Sequence, residues 1–349
     1  MCDISVIIPV YNGAGMLEDC VSSVLNAGNR IAEIIIVDDG STDQTLSVAE
    51  GLAEKNMKIR VIHTENHGTY MARTMGMKAA RGSYVTSIDV DDRYCPNSLD
   101  MLADLLEDNA ADAAIGGLVE IDDYDTMISA PDCPVVKVST VEQMWPRIMK
   151  WKTQEFVSYI NKLYKREMMQ DFVEVEGICQ GDDVTITCQT SLGVKTVVET
   201  NSPMYLYYQN PESLTRVGFS DRDLDVQRVW DKVVEIMGEK RKDLLPMAQY
   251  NRWRTDFTMM TRLILVDDKT LDRKYAGELQ KWRAGLKAHW KDLIAPHAMP
   301  RNRELLVLGL RFCYGPTKAA MRLGRKLMRK ETSVILHSGD KRPAMKSQV

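Results

Sequence analysis

The chain has 349 residues, of which 44% are apolar, enough to bury a full core and too apolar for a disordered segment. Its formal charge of -4 gives no global basis for nucleic-acid binding. Seven cysteines, scattered from Cys2 to Cys313 without CxxC spacing, argue against a disulfide framework and a structural zinc site, and point to a reducing cytoplasm.

Met1 runs directly into an apolar stretch with no basic region before it, so no signal peptide is expected, and no apolar run reaches bilayer-spanning length. The stretch Ile4 to Val10 predicts a buried strand, Met16 to Ala27 a helix and Glu33 to Val37 a second buried strand. The pattern repeats with a helix over Thr42 to Glu54, a strand over Ile59 to His63, a helix over Thr69 to Ala80 and a strand over Tyr84 to Ile88. A helix from Asn97 to Asp108 and a strand from Ala113 to Leu118 follow. Continuous rather than alternating apolar strands, joined by helices, predict a mostly parallel sheet covered on both faces. Beyond Asp122 the pattern loosens: Pro131 and Pro134 mark a loop, extended to Val138, before a helix over Val141 to Trp151 and core from Val157 to Tyr164. Thr196 to Glu199 and Met204 to Tyr208 read as two strands around a turn at Asn201-Ser202-Pro203. After Phe219 the composition turns helical, which sets the expected domains at 1–219 and 220–349.

In such a sheet ligands bind outside the carboxyl ends of the strands, where strand order reverses. Two acidic clusters fall there, Asp38-Asp39-Gly40-Ser41-Thr42-Asp43 and Asp89-Val90-Asp91-Asp92. Concentrated carboxylates repel one another, and a divalent cation or backbone N–H donors relieve them. Ser41 to Asp43 also suit a helix cap, which leaves Asp39 at the strand tip unexplained. Alternation sets Asp89 and Asp91 on one side of the chain, where both can address one ligand.

These motifs occur in a telling order: Ser5-Val6-Ile7-Ile8-Pro9-Val10-Tyr11-Asn12, then Val37 to Asp43, then Asn66 to Gly82, then Asp89 to Asp92. Together they resemble glycosyltransferase family two, of the bacterial kind that builds surface polysaccharides, over residues 3 to 216. The resemblance implies the GT-A fold, a Rossmann-like α/β sheet, followed here by a C-terminal helical region. It also implies a nucleotide-sugar donor, a Mn or Mg ion and inversion at the anomeric carbon. By the same resemblance Pro9 and Tyr11 flank the nucleotide base, Asp39 accepts from it, and Arg73 lies beside base and diphosphate. Asp89 reaches the ribose and metal, and Asp91 is the principal metal ligand. The family has Asn where this chain has Thr74.

An inverting transfer needs a carboxylate to remove the acceptor proton. Gln180-Gly181-Asp182-Asp183-Val184 resembles the family's Gly-Glu-Asp segment, and Asn161-Lys162-Leu163-Tyr164 its Asn-Lys-Leu-Tyr run. Asp183 is the expected base and Asp182, where Glu is common, its support; a pair of acids capping the helix near Val184 is the plainer alternative. The tyrosines of Met204 to Tyr208 read as core and edge strand rather than as a sugar platform. Gln249-Tyr250-Asn251-Arg252-Trp253 matches a motif of processive members by chance, since those members carry membrane spans. The basic residues of 311–330, interleaved with Phe312, Leu323 and Leu327, suggest either peripheral contact with the inner face of a membrane or a solvated helix face.

The expected partners are thus a nucleotide-sugar donor and a glycan or lipid-linked acceptor, with no nucleic acid. A nucleotidyltransferase would need a basic glycine-rich loop after the first strand, and Tyr11-Asn12-Gly13-Ala14-Gly15 has no Lys or Arg. A phosphate-accepting signalling switch shares the acid pair but has no use for Asp182-Asp183.

Overall fold

The chain is described by a computed structural model at residues 3–124, 134–150, 158–169, 172–173, 175, 177–178, 181–209 and 219–338, with side chains described to 327 except at Lys150. The first strand, β1 (Ile4–Val10), is buried along its whole length, the reason its sequence is a continuous apolar run. It alternates faces. Ile4, Val6, Ile8 and Val10 join one core with Leu17, Val21 and Val24 of α1 (Ala14–Asn26) and Leu99 and Leu102 of α4 (Ser98–Asp108). On the other face Ile7, with Val37 of β2 (Ile31–Asp39), lies under Gly76 of α3 (Thr69–Ala79), where a Cβ would stand 2.5 Å from the Ile7 side chain. Helices therefore cover both faces of the sheet.

With β3 (Ile59–Thr64) and β4 (Tyr84–Ser87), these strands form the parallel run β3-β2-β1-β4. The helix between β2 and β3 is α2 (Thr45–Lys55), which begins three residues later than the sequence pattern predicts because Asp43 accepts from the Thr45 backbone N–H at 2.9 Å. The sheet continues through β8 (Lys162–Lys165), antiparallel to both β4 and β6 (Ala113–Ile121), and then to β9 (Thr196–Tyr208), parallel to β6. Two strands share the outer edge of β9: β7 (Val136–Thr140) pairs with Thr196 to Thr200, and β5 (Arg93–Tyr94) with Tyr205 and Leu206. So Val136 to Val138 is an edge strand, not loop. Trp151, Val157 and residues 125–133 lie outside the described residues.

No turn forms at Asn201-Ser202-Pro203. Strand β9 runs through it, and its register on β6 shifts between Ile115 and Leu118. The irregularity falls where Pro203, opposite Gly117, has no N–H to give the ladder; beside it Asn201 Oδ1 accepts from the Val135 N–H at 2.7 Å.

The chain divides into two compact units, Met1–Val217 with Arg228–Ala248, and Gly218–Gln227 with Gln249–Val349. The sequence pattern puts a boundary at Phe219, but much of α7 (Asp225–Lys240) belongs to the first unit, where Val229, Trp230, Val233, Ile236 and Met237 are buried. After it, Arg241 stacks over Trp145 and pairs with Glu142 at 2.9 Å. The helix carrying Trp145 is α5 (Val141–Lys150).

The second unit is helical: most of α8 (Leu245–Val266), then α9 (Lys269–Lys274), α10 (Ala276–Ile294), α11 (Arg301–Phe312) and α12 (Tyr314–Ser338). Phe219 packs edge-on to Tyr275 and Trp282 in its core. The Gln-x-x-Arg-Trp pattern serves packing, with Arg252 on Asp256 and Trp253 stacked on His289 at 4.2 Å. In the basic C-terminal stretch, Lys318 and Arg322 pair with Asp272, and Arg322 and Lys326 with Asp267. The side chains of Arg329 and Lys330 lie outside the described residues. Among the described residues no helix is long and apolar enough to cross a membrane.

Candidate active site

The parallel run reverses direction of growth at β1, between β2 and β4, and the acidic motifs end those strands. Pro9 is buried in β1 opposite Val37, whereas Tyr11, just past the strand end, is 47% exposed. Asn12 takes a left-handed φ of 53°, and its Oδ1 accepts from the Thr42 N–H at 2.8 Å while its own N–H donates to Ser41 Oγ. The ends of β1 and β2 are thereby tied into one ledge. Asp43 adds to it, accepting from the Thr45 hydroxyl and from the Ala14 N–H at 3.3 Å. Ser41 and Thr42 are thus tie points, not caps.

Asp39 has the partners that its sequence position left unexplained. Its two oxygens accept from the His67 and Gly68 backbone N–H groups, at 2.8 and 2.9 Å, just before α3. Gly68 must be glycine: its φ is +91°, and a Cβ would meet the Ile178 carbonyl oxygen at 2.5 Å. The carboxylate is 4% exposed, and each oxygen keeps a second lone pair for another donor. Its neighbour Asp38 points elsewhere, accepting from the Ser41 N–H and meeting His63 Nδ1 at 2.7 Å.

Arg73 is the centre of the site. It is 3% exposed on α3, and its guanidinium meets three carboxylates: Asp182 at 2.7 Å and Asp183 at 3.0 Å through Nη1, and Asp89 through Nη2. Asp182 and Asp183 open α6 (Asp182–Gly193) after Gly181, which has a φ of 84°. The acid that follows β4 and the two acids that open α6 therefore hang from one buried cation.

The pair at α6 is not equivalent. The Asp182 side chain is 11% exposed, and burial pushes its carboxyl up to about 6 against the opposing pull of Arg73, with Asp183 raising it further. The Asp183 side chain is 37% exposed. Its Oδ1 also accepts from the Tyr159 N–H at 3.2 Å, and its Oδ2 faces the Ser158 hydroxyl at 3.5 Å. The buried ammonium of Lys162 grips the Ser158 carbonyl, and Asn161 Nδ2 donates to the Gly116 carbonyl at 2.6 Å. The Asn-Lys-Leu-Tyr run thus shapes the backbone that orients Asp183. Thr74 returns its hydroxyl to the Met71 carbonyl within α3, away from this junction.

Two residues to which the sequence assigns no part in the site, Asp92 and Tyr205, also matter. Asp92 is buried and accepts from the Tyr205 hydroxyl at 2.6 Å and the Tyr208 N–H at 2.9 Å. Burial, then the charges of Asp89 and Asp91, hold its carboxyl well above the usual carboxylate range. The Tyr205 oxygen in turn accepts from the Asp89 N–H, and Tyr124, stacked on Tyr208 at 4.5 Å, donates to the Asp91 carbonyl at 2.6 Å. The acidic segment after β4 is clamped at both ends by aromatic hydroxyls. Only the run of alternating tyrosines in β9 hinted at this.

Among the described residues no three His, Cys, Asp or Glu side chains form a metal cage. A hard divalent ion held partly by substrate phosphates needs only one or two carboxylates from the protein. Asp89, Asp182 and Asp183 outnumber the Arg73 guanidinium they share, which leaves negative charge at Asp89 for such an ion to offset.

Residues 5–172 match the family model described as glycosyl transferase family 2. The chain is 30% identical over 247 residues to glycosyltransferase GlyG of Streptococcus pneumoniae, covering 69% of this chain and 80% of GlyG. It is 29% identical over 219 residues to EpsJ, an uncharacterized glycosyltransferase of Bacillus subtilis, covering 62% of this chain and 64% of EpsJ. In fold it is similar to residues 1–349 of S. aureus TarS, solved in complex with UDP-GlcNAc, with a TM-score of 0.66, 17% identity, and coverage of 95% of this chain and 92% of that one. The same part of TarS solved with UDP gives a TM-score of 0.59 at 19% identity, over 99% of this chain and 94% of that one. An α/β sheet with its acids gathered at the strand ends, matched by sequence to these enzymes, makes this chain a member of glycosyltransferase family 2.

Proposed function

We propose that the chain transfers a sugar from a uridine-diphosphate sugar to a hydroxyl of a glycan or lipid-linked acceptor, inverting the anomeric carbon, in the synthesis of a polysaccharide or glycolipid. The observation that carries this reading is the difference in exposure within the acid pair: Asp183 reaches solvent while Asp182 does not. Asp183 Oδ2 is the atom that takes the acceptor proton as the acceptor oxygen bonds to the anomeric carbon and the bond from that carbon to the diphosphate breaks. Arg73, Tyr159 and Ser158 orient the carboxylate for that role. Asp89 and Asp91 would hold Mn or Mg, which supplies Lewis-acid stabilisation of the departing diphosphate. Pro9, Tyr11 and Asp39 line the end of the ledge where a base would lie. Support for a uridine donor comes from TarS, which was solved with UDP-GlcNAc and with UDP.

The test compares Asp183→Asn with Asp182→Asn, reading transfer rate and donor dissociation constant. Asp183→Asn keeps shape but cannot accept the proton, so transfer should fall by about two to four orders of magnitude while donor affinity changes little. Asp182→Asn should be milder. Near-normal transfer in Asp183→Asn with a collapse in Asp182→Asn would move the base to Asp182; near-normal transfer in both would end the proposal.

A further inference from the structure

The second unit carries a surface that the transferase reading does not use. A groove of about 890 Å³ between α10 and α11 is lined by Trp290, Ile294, Met299, Leu305 and Leu308. It continues onto Phe312, which packs edge-on to Trp290 at 5.3 Å. Two of these side chains are largely open to water: Leu305 is 68% exposed and Phe312 is 60% exposed, whereas Met299 is buried. Positions 290 and 294 recur at one helical turn on α10, and 305, 308 and 312 do so on α11, so each helix presents one apolar stripe to the groove.

The charge around this stripe is one-sided. Residues 276–313 contain seven Lys or Arg against three Asp or Glu, in a chain whose net charge is -4. All three acids are engaged locally: Glu278 with Lys281, Asp292 with His289, and Glu304 with His297. Lys291, Arg301 and Arg311 form no ion pair among the described residues. Lys291 and Arg311 lie instead over the Trp290 and Phe312 rings, at 5.7 and 4.9 Å. Farther along, Lys318, Arg322 and Lys326 are taken up by Asp267 and Asp272, and Arg325 donates to the Leu265 carbonyl.

We infer that this groove and its rim dock on an anionic lipid surface. Aromatic and leucine side chains enter the headgroup boundary while lysine and arginine remain at phosphate level, the arrangement an interfacial helix needs. A second copy is a poor occupant. A twofold contact sets a patch against itself and would gather two sets of Lys291, Arg301 and Arg311 in one interface with no added countercharge. A membrane with negative headgroups supplies the missing countercharge, worth about fivefold in binding per cation. This surface is separate from the catalytic reading, and donor hydrolysis in solution reports on that reading independently.

The test is sedimentation of the full chain with vesicles of phosphatidylcholine alone and with vesicles that also contain phosphatidylglycerol. The expected result is binding to the second kind only, lost at about 1 M salt, where the screening length falls to about 3 Å. Lys291→Gln, Arg301→Gln and Arg311→Gln should each weaken binding about fivefold, and the three together by about two orders of magnitude. Leu305→Ser with Phe312→Ser should remove binding while circular dichroism and donor hydrolysis stay those of the parent. Met57→Ser, at a fully exposed site in the first unit, should change nothing. The inference is overturned by equal binding to both kinds of vesicle or by none to the anionic kind. It is also overturned if the leucine and phenylalanine changes abolish self-association and leave vesicle binding intact.

Discussion

Asp182 and Asp183 are neighbours in sequence that face different media, and the difference sets a pH dependence. The Asp182 carboxyl is pushed up to about 6 by burial, from an ordinary value near 4, so the folded chain binds that proton more tightly than the unfolded chain does. Its stabilising contribution is then fully present below about pH 4 and is lost as pH rises through about 6. That rise is worth on the order of a few kcal/mol at most. Asp182→Asn cannot titrate, so its stability relative to the parent should rise by up to that amount between about pH 4 and pH 7. Urea unfolding of both proteins at several pH values measures the gap, and a gap that does not change with pH would show that Asp182 is not held above its ordinary range. The two acids were legible in the sequence because they are adjacent and follow Gly181. Their shared cation was not, since Arg73 lies 109 residues from Asp182 and only the stacking of α3 beside α6 joins them.

Among elements, those that sequence pattern finds most readily are the ones buried on both faces. Strands β1 and β2 read as continuous β-branched runs for that reason. Strand β7 is exposed at Val136, Lys137 and Val138, so it lacks that run, and β5 is two residues long. Both exist because β9 offers an edge, which is information held elsewhere in the chain. The same strand explains the acidic segment. Tyr205 joins Asp92 to the Asp89 N–H, so its hydroxyl fixes the backbone that presents Asp89 and Asp91. Tyr205→Phe removes a hydrogen-bond partner from the buried Asp92 carboxyl and from the Asp89 N–H, and should cost about 1 to 3 kcal/mol of stability. If the loop presents a metal, the variant should also need at least tenfold more Mn for half-maximal transfer, with donor hydrolysis at saturating Mn less affected. A loss of stability with an unchanged Mn requirement would make Tyr205 a packing residue only.

For the whole molecule, the residues assigned to donor and acceptor chemistry all belong to the first unit, from Pro9 to Asp183, and none to the helices beyond Gln249. This follows from the fold: only the parallel sheet gathers strand ends and helix N-termini at one edge, and a helical unit has no such edge. Ligand that binds only the native state stabilises what it touches, by about 2.7 kcal/mol at a hundred times its dissociation constant. Hydrogen exchange with UDP and Mn at that excess should therefore slow at the end of β2, at His67 and Gly68 before α3, across Asp89 to Asp92 and at the start of α6. Local opening at these places is subglobal, so protection there reports binding rather than a general rise in stability. The amides of α10 and α11 should exchange as they do without ligand. Slowing confined to α10 and α11 would place the nucleotide in the wrong unit, and slowing at β2 without any at Asp89 to Asp92 would separate the base-binding ledge from the proposed metal site.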